Sequence, residues 1–163
     1  MNHIKIHQDP LIQTLCDESN WESHGLNPRK GLLFYGMTGV GKTYSLNRYL
    51  SNTKKNPGHQ IDAEHIELGV ALHGANYFQR FYQDHMVWND LGQEERIMMH
   101  MGTSIKPVQT IIMYRHQRFP FLKTHITTNL SLEDIATRYG DRVFSRLTEM
   151  CNFIEVAGKD LRK

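Results

Sequence analysis

Residues 30–43 read KGLLFYGMTGVGKT, and this stretch decides the fold of the chain. Its first half contains a continuous apolar run at residues 32–35, which is typical of a strand buried on both faces of a parallel sheet. Its second half, GMTGVGKT, matches the pattern G-x-x-x-x-G-K-[ST] without a substitution. A buried strand that turns through glycines into a helix predicts a loop that wraps phosphate groups.

Eight residues form this predicted phosphate loop: Gly36, Met37, Thr38, Gly39, Val40, Gly41, Lys42 and Thr43. The glycines permit positive φ angles, so backbone N–H groups can approach an anion closely at the start of a helix. We expect the Lys42 ammonium to bind the β- and γ-phosphates and the Thr43 hydroxyl to contact Mg²⁺. Leu46 and Leu50, one turn apart, continue the helix that this interpretation requires.

The length and charge of the chain limit its class. Its 163 residues suit one α/β domain, which we assign to residues 30–163. Residues 1–29 are predicted to be a lead-in segment that packs over the nucleotide, although a poorly ordered arm fits their composition equally well. A net charge of +2 excludes nucleic-acid binding by overall charge alone, so any DNA contact is local. Two distant cysteines, Cys16 and Cys151, indicate reduced thiols in a cytoplasmic protein. No apolar run approaches membrane-spanning length, so no membrane partner is expected.

Four further β-rich runs follow the first strand, at residues 59–63, 85–88, 122–128 and 153–156. Segments with helical spacing of apolar residues separate them, which predicts an α/β fold with a mostly parallel, five-stranded sheet. Gly74 is expected to interrupt the helix that begins near Ile66. Ser131 is expected to cap a helix that Gly140 ends, and Asp141 to cap the next one.

Asn89 and Asp90 directly follow the run at residues 85–88. P-loop ATPases carry acidic residues at this place, because one carboxylate holds Mg²⁺ through its waters and a second orients the attacking water. Asparagine stands at the first position here, and Asp90 keeps the second. An amide accepts a hydrogen bond from a metal-bound water but lacks the charge that offsets Mg²⁺. We therefore predict that Thr43, Asn89 and Asp90 surround the metal and that hydrolysis is weakened more than binding.

Four motifs, in this order, resemble the AAA+ ATPases of the DnaC and IstB type: GMTGVGKT, WNDLG at 88–92, HITTNLSLEDI at 125–135, and YGDRVFSRLTEMCNFI at 139–154. These ATPases include helicase loaders and transposition helpers. The resemblance covers roughly residues 30–163, and TTNL followed by YGDRVFSRL is more discriminating than the phosphate loop. It implies a three-layer α/β/α core, with ATP and Mg²⁺ as cofactors. The sequence departs from the family pattern in that we expect no C-terminal helical lid after residues 153–156.

The resemblance also implies roles for three further residues. Asn129 is similar to the sensor-1 residue, a polar side chain that helps to place the attacking water. Arg146 matches the arginine finger, which reaches the γ-phosphate of a neighbouring subunit, and Arg142 matches its supporting partner. By spacing alone, these two arginines would be an ordinary solvated pair on one helix face. The family therefore implies a homo-oligomer with ATP at the subunit interfaces.

Three functions stay open on the sequence. The first is an ATPase of DNA replication or mobile-element DNA transactions, which assembles with ATP on single-stranded DNA and serves a replicative helicase or a transposase. The second is an ATP-gated scaffold that binds a protein partner and hardly hydrolyses ATP. The third, a small-molecule kinase, is weaker because no arginine-rich closing lid is recognisable. The candidate DNA contacts are basic residues: Lys54, Lys55, Arg115, Arg118 and Lys123.

Overall fold

The computed structural model describes the backbone of residues 3–7 and all of residues 15–53, 58–82 and 84–160. Its strands are β1 (His3–His7), β2 (Gly31–Tyr35), β3 (His59–Ile61), β4 (Met86–Leu91), β5 (Met98–His100), β6 (Thr103–Ile105), β7 (Thr124–Thr128) and β8 (Cys151–Ala157). Its α-helices are α1 (Lys42–Asn52), α2 (Ala63–His73), α3 (Pro107–Arg118), α4 (Leu132–Tyr139) and α5 (Asp141–Met150). Three 3₁₀ helices cover Glu18–Asn20, Glu22–His24 and Gly74–Phe81, the last of which begins at the predicted helix interruption.

A six-stranded sheet in the order β1-β8-β2-β7-β4-β3 forms the centre of the molecule, and every neighbouring pair in it is parallel. The five predicted strands are present as β2, β3, β4, β7 and β8. The sixth strand comes from the lead-in segment, because β1 pairs with β8 from His3 opposite Phe153 to His7 opposite Ala157. The lead-in therefore extends the sheet in this part.

The sheet carries a buried core on each face. Leu33 faces one core, whereas its neighbours Leu32 and Phe34 face the other, so β2 is buried on both sides as its sequence predicts. Helices α2, α3, α4 and α5 contribute apolar side chains to the first core. Helix α1 and the lead-in residues Leu15 and Trp21 fill the second. The predicted three-layer α/β/α arrangement is confirmed, and the described lead-in belongs to the domain core.

The junction between α4 and α5 differs slightly from the prediction. Ser131 caps α4 as expected: its hydroxyl oxygen accepts the Asp134 N–H at 3.0 Å, and the Asp134 carboxylate accepts the Ser131 N–H. These bonds from Ser131 lower the pKa of Asp134. Gly140 ends α4 with a φ of +87° and is also the N-cap of α5. The expectation that Asp141 caps α5 is therefore wrong, since Asp141 is already its first residue.

Residues 98–105 form a β-hairpin that the sequence did not predict, in which antiparallel strands β5 and β6 meet at a tight turn. Met101 and Gly102 form the turn, both with positive φ. Within the described parts of the chain, no helix is long and apolar enough to cross a membrane.

Candidate functional site

The phosphate loop lies at the carboxyl end of β2, and α1 begins at its last lysine. Gly36, Gly39 and Gly41 have φ angles of +137°, +84° and +88°, a region that favours glycine. Gly41 is the N-cap residue of α1, so the free N–H groups of the first helical turn face the loop. This is the arrangement of N–H groups and helix terminus that binds phosphate.

Lys42 is only 5 % exposed. Its ammonium donates hydrogen bonds to the carbonyl oxygens of Gly36, at 2.8 Å, and Met37, at 2.6 Å. These bonds hold a positive charge inside the loop, where it adds to the field of the helix terminus. Val40 points the other way, because its side chain is buried in the core between α1 and the sheet.

A cavity of about 720 Å³ opens beside the loop, a volume within the range of small-ligand sites. It is lined by Thr38, Gly39, Gly41, Lys42, Thr43, Tyr44, Asp90, Gln93 and Asn129. The cavity therefore brings together five residues of the predicted phosphate loop, the predicted acid and the predicted sensor. Parallel strand order explains this, because β2, β7 and β4 are neighbours and the three segments lie at their carboxyl ends.

Asp90 is held in an unusual backbone conformation at the end of β4. Its φ is +51°, and the register between β4 and β7 shifts between Trp88 and Leu91. The Asp90 N–H donates to the Thr127 hydroxyl oxygen at 3.0 Å. The Thr128 hydroxyl donates to the Leu91 carbonyl at 2.6 Å. Two threonines of β7 thus fix the turn that directs the Asp90 side chain to the cavity wall.

Asn89 does not line the cavity. Its Oδ1 atom is buried and accepts no hydrogen bond from any residue that the structure describes. Such an acceptor is costly unless it is satisfied by water or a ligand. Across residues 15–53, 58–82 and 84–160, no cluster of three or more histidine, cysteine or acidic side chains could hold a metal ion. Thr43 lines the cavity and fits a Mg²⁺ ion held mainly by phosphate oxygens. The contact of the Asn89 oxygen with a metal-bound water stays a prediction, because that oxygen is buried outside the cavity lining.

Arg142 and Arg146 lie on α5, away from the cavity beside the phosphate loop. Arg142 is exposed, whereas the Arg146 side chain is 33 % exposed and donates from Nη1 to Glu149 Oε1 at 2.6 Å. Glu149 Oε2 also lies 2.6 Å from His116 Nε2. The hydrogen bond with His116, and to a smaller extent the contact with Arg146, lowers the pKa of Glu149. Neither arginine of the pair therefore lines the cavity beside the phosphate loop.

Glu94 is a buried carboxylate that sequence reasoning missed. It is 1 % exposed, and it accepts the Gly92 N–H at 3.0 Å and the Tyr139 hydroxyl at 2.5 Å. The Arg138 guanidinium donates to the Glu94 carbonyl at 2.6 Å. Burial, with the nearby Glu94 charge, raises the pKa of Tyr139. Glu94 thus ties the segment after Asp90 to the end of α4.

Two of the five candidate DNA contacts, Arg115 and Lys123, bind other groups of the same chain. Arg115 is 0 % exposed and donates to the Thr124 hydroxyl at 2.9 Å and to the carbonyls of Asp84, Phe81 and Lys123. Burial lowers its pKa to about 10. The Lys123 ammonium lies 3.6 Å from Glu18 Oε1 and 5.3 Å from the Trp21 ring.

The prediction that Arg115 contacts DNA is therefore wrong, because its side chain is buried. The Lys123 side chain contacts Glu18 and Trp21 of the lead-in segment. Arg118 is exposed at the end of α3 and stays a candidate. Lys54 and Lys55 lie outside the described residues.

No family model matches the sequence, and a search of curated proteins finds no match. Solved structures do share the fold. A DnaC helicase loader is 25 % identical, with a TM-score of 0.58 over 90 % of this chain and 86 % of that one. A candidate primosome component of Streptococcus pyogenes serotype M3 is 19 % identical, with a TM-score of 0.65 over 94 % and 81 %. AMPPCP-bound DnaA from Aquifex aeolicus is 14 % identical, with a TM-score of 0.54 over 94 % of this chain and 47 % of that one.

Proposed function

We propose that this chain, which has the fold of the DnaC-like AAA+ P-loop ATPases, binds ATP and uses it to assemble with copies of itself in DNA replication. One observation carries the proposal: a single cavity is lined by the phosphate loop, by Asp90 and by Asn129. Loop, acid and polar sensor come from three neighbouring strands, so chance exposure of one motif does not explain their meeting.

Binding requires only groups that the loop already presents. The N–H groups of residues 36–43 and the Lys42 ammonium surround the β- and γ-phosphates. The Thr43 hydroxyl would hold a Mg²⁺ ion, and we expect the Asn89 oxygen, which has no partner among the described residues, to accept a hydrogen bond from one of its waters. When bound, the ion offsets phosphate charge during hydrolysis. The DnaA structure contains a nucleotide analogue, which supports ATP as the ligand of this shared fold.

We expect ATP hydrolysis by this chain to be slow, whereas ATP binding should be intact. Asp90 and Asn129 both line the cavity. We propose that Asp90 orients the attacking water and that Asn129 hydrogen-bonds to this water. Asn89 contributes an acceptor but no negative charge to the surroundings of the metal. We therefore propose an ATPase with slow turnover.

Arg146 is proposed to act on the nucleotide of a neighbouring copy, with Arg142 in support. Neither arginine lines the cavity beside the phosphate loop of its own chain, which supports an action between subunits. Arg142 is exposed, and the Arg146 guanidinium is bonded to Glu149 on its own helix. Reaching a neighbour then requires Arg146 to leave Glu149.

A replicative helicase is the protein partner that we propose, because a DnaC helicase loader is the neighbour with the highest identity among those described above. Single-stranded DNA is proposed as the polymer on which the copies assemble. The motif resemblance to transposition helpers keeps a transposase as the alternative partner.

An ATP-gated scaffold with hardly any hydrolysis is the second candidate function. Asn89 favours it, since an asparagine beside the metal leaves binding groups in place while removing a charge that supports turnover. A small-molecule kinase is not supported, because no arginine lines the cavity beside the loop in the described part of the chain.

The proposed function is tested by two variants, Arg146→Ala and Lys42→Ala. We expect Arg146→Ala to keep the ATP affinity of the single chain, because Arg146 does not line its own cavity, but to lose ATP-dependent oligomers in sedimentation. A mixture of the two variants should regain activity, because each chain supplies the half-site that the other lacks. If both chains are folded and no mixture regains assembly or turnover, the action of Arg146 between subunits is refuted.

A further inference from the structure

Two adjoining cavities lie along α3, away from the phosphate loop. The larger, of about 390 Å³, lies between α3 and α5 and is lined by Lys106, Gln109, Thr110, Met113, Arg142 and Ser104 among others. The smaller, of about 270 Å³, shares Lys106 and Gln109 with it and adds Arg96 and Arg138. Four cations line the two cavities and no carboxylate does, on a chain whose net charge is only +2. These two cavities therefore form a local concentration of positive charge on a chain that is nearly neutral overall.

We propose that Lys106 and Arg142 together bind the phosphate groups of the nucleotide held by a second copy of this chain. This rests on the proposed function, and it adds to the arginine pair a lysine that the sequence motifs did not indicate. Lys106 is thus a residue that positions the nucleotide of the neighbour, whereas Lys42 binds the nucleotide of its own chain.

The backbone at Lys106 is fixed. Its carbonyl accepts the Thr110 N–H and the Thr110 hydroxyl, both at 2.9 Å, and Pro107 begins α3 directly after it. The Lys106 side chain is exposed. In the described residues, no carboxylate lies within the 4.0 Å ion-pair distance of Lys106 or Arg142. Both cations are therefore available to an anion that arrives from outside the chain.

The arginines of α5 indicate where that anion comes from. Arg142 lines the larger cavity and lies one helical turn before Arg146, so the cavity and the proposed finger share a face. None of these cations lines the cavity beside the phosphate loop of the same chain. A neighbour whose γ-phosphate reaches Arg146 therefore brings concentrated negative charge to the Lys106 side of the face.

Single-stranded DNA is the competing occupant, and the lining disfavours it. Non-specific binding of a single strand combines cations with aromatic side chains on which bases stack. Tyr139 is the one aromatic residue that lines either cavity within the described residues, and its hydroxyl is bonded to Glu94. Two small cavities rich in glutamine, threonine and cations suit phosphate groups better than a run of stacked bases.

The test is Lys106→Gln, with Arg80→Gln as the control, because Arg80 is an exposed cation that lines neither cavity and is not one of the candidate DNA contacts. A fluorescent ATP analogue should bind a single Lys106→Gln chain as tightly as it binds a single wild-type chain. ATP-dependent assembly, followed by sedimentation, should require roughly five to ten times more protein. Lys106→Arg should keep assembly, because it keeps the charge. The control should assemble normally.

A mixing experiment then separates the neighbour from the chain itself. Lys106→Gln binds nucleotide but presents a damaged face, whereas Lys42→Ala presents an intact face, so their mixture should regain assembly. Unchanged assembly of Lys106→Gln, loss of its own ATP affinity, or loss of binding to a dT₂₀ strand with assembly intact would each overturn the inference. The Arg146→Ala variant separates a failure of this inference from a failure of the proposed function. If it abolishes assembly and Lys106→Gln does not, only this inference fails; if neither affects assembly, the proposed function fails as well.

Discussion

The Asp160 carboxylate lies against the Cα of Gly39, in the space that a side chain at this loop position would fill. A Cβ atom built on Gly39 would stand 2.7 Å from Asp160 Oδ2, and one built on Gly36 would collide with the Val156 carbonyl. The end of β8 and the residues after it therefore pass directly over the phosphate loop. A negative charge lies beside the N–H groups that we propose bind phosphate.

We predict that Asp160→Asn strengthens nucleotide binding. A phosphate group and the Asp160 carboxylate compete for the same positive region, so removing the charge favours the phosphate. The dissociation constants of ATP and ADP should both fall by roughly three- to tenfold. Adenosine, which has no phosphate, should bind Asp160→Asn and the wild type equally. Calorimetry measures all three ligands.

Glu67→Gln is the control for this change, because it removes one carboxylate from an exposed position on α2. It should leave every nucleotide affinity unchanged. Hydrogen exchange offers a second measurement: amides of residues 156–160 should exchange faster once ATP displaces the carboxylate. Weaker binding of ATP to Asp160→Asn would show that Asp160 assists the nucleotide.

Lys42→Ala is predicted to weaken ATP binding by about 2 to 4 kcal/mol, because a phosphate charge partly out of water loses its cation. The buried position of Lys42, with its ammonium on the Gly36 and Met37 carbonyls, makes the loss specific to the loop. A fluorescent ATP analogue measures the affinity, and circular dichroism checks the fold. An affinity within twofold of the wild type would exclude the phosphate loop as the binding site.

Asn89→Asp is predicted to raise ATP hydrolysis by about tenfold or more. Aspartate has nearly the shape of asparagine and adds a negative charge near the proposed metal, where one such contact is worth about 1.4 kcal/mol or more in the transition state. Phosphate release at varied Mg²⁺ concentration measures the effect. Nucleotide affinity in EDTA should stay unchanged, since the new charge acts through the metal.

Asp90→Asn is the companion variant and should abolish the remaining turnover, because Asp90 is the carboxylate that lines the cavity. Asparagine tolerates the positive φ of this position, so the turn should survive. Brisk turnover by the wild type on single-stranded DNA, together with no gain from Asn89→Asp, would refute the interpretation of a weakened ATPase.

Arg115→Ala should destabilise the fold by about 3 kcal/mol, because it leaves three carbonyls and the Thr124 hydroxyl without their buried donor. Urea unfolding measures this loss. Arg118→Ala, on the same helix but exposed, should change the free energy of unfolding by less than about 0.5 kcal/mol. Equal effects of the two changes would contradict the buried role of Arg115.

The phosphate loop was predictable because its chemistry is local: glycines, Lys42 and Thr43 are contiguous, and their conformations follow from residue type. The meeting of Asp90 and Asn129 was predictable because parallel strands bring their carboxyl ends to one edge. Sequence reasoning of this kind predicts the five core strands and most of the residues that line the cavity. The roles of Asn89, Asp90, Asn129, Arg142 and Arg146 stay predictions.

Burial of polar side chains was not predictable from local sequence. Arg115 and Glu94 look like surface charges in their helix and loop, yet each is buried by partners far along the chain. The position of Asp160 over Gly39 likewise depends on the path of the chain after β8. Strand β1 was missed for a related reason, since a strand of five residues is decided by the neighbour with which it pairs.

Strand β1 covers the outer edge of β8, the longest strand of the sheet. The sequence of β8, CNFIEVA, has one charge and no proline, and it is mostly buried. Without β1, that edge would present unpaired N–H and C=O groups beside apolar side chains, which is a template for pairing with another chain. Removal of the first seven residues should therefore lower solubility by promoting aggregation through exposed strand edges.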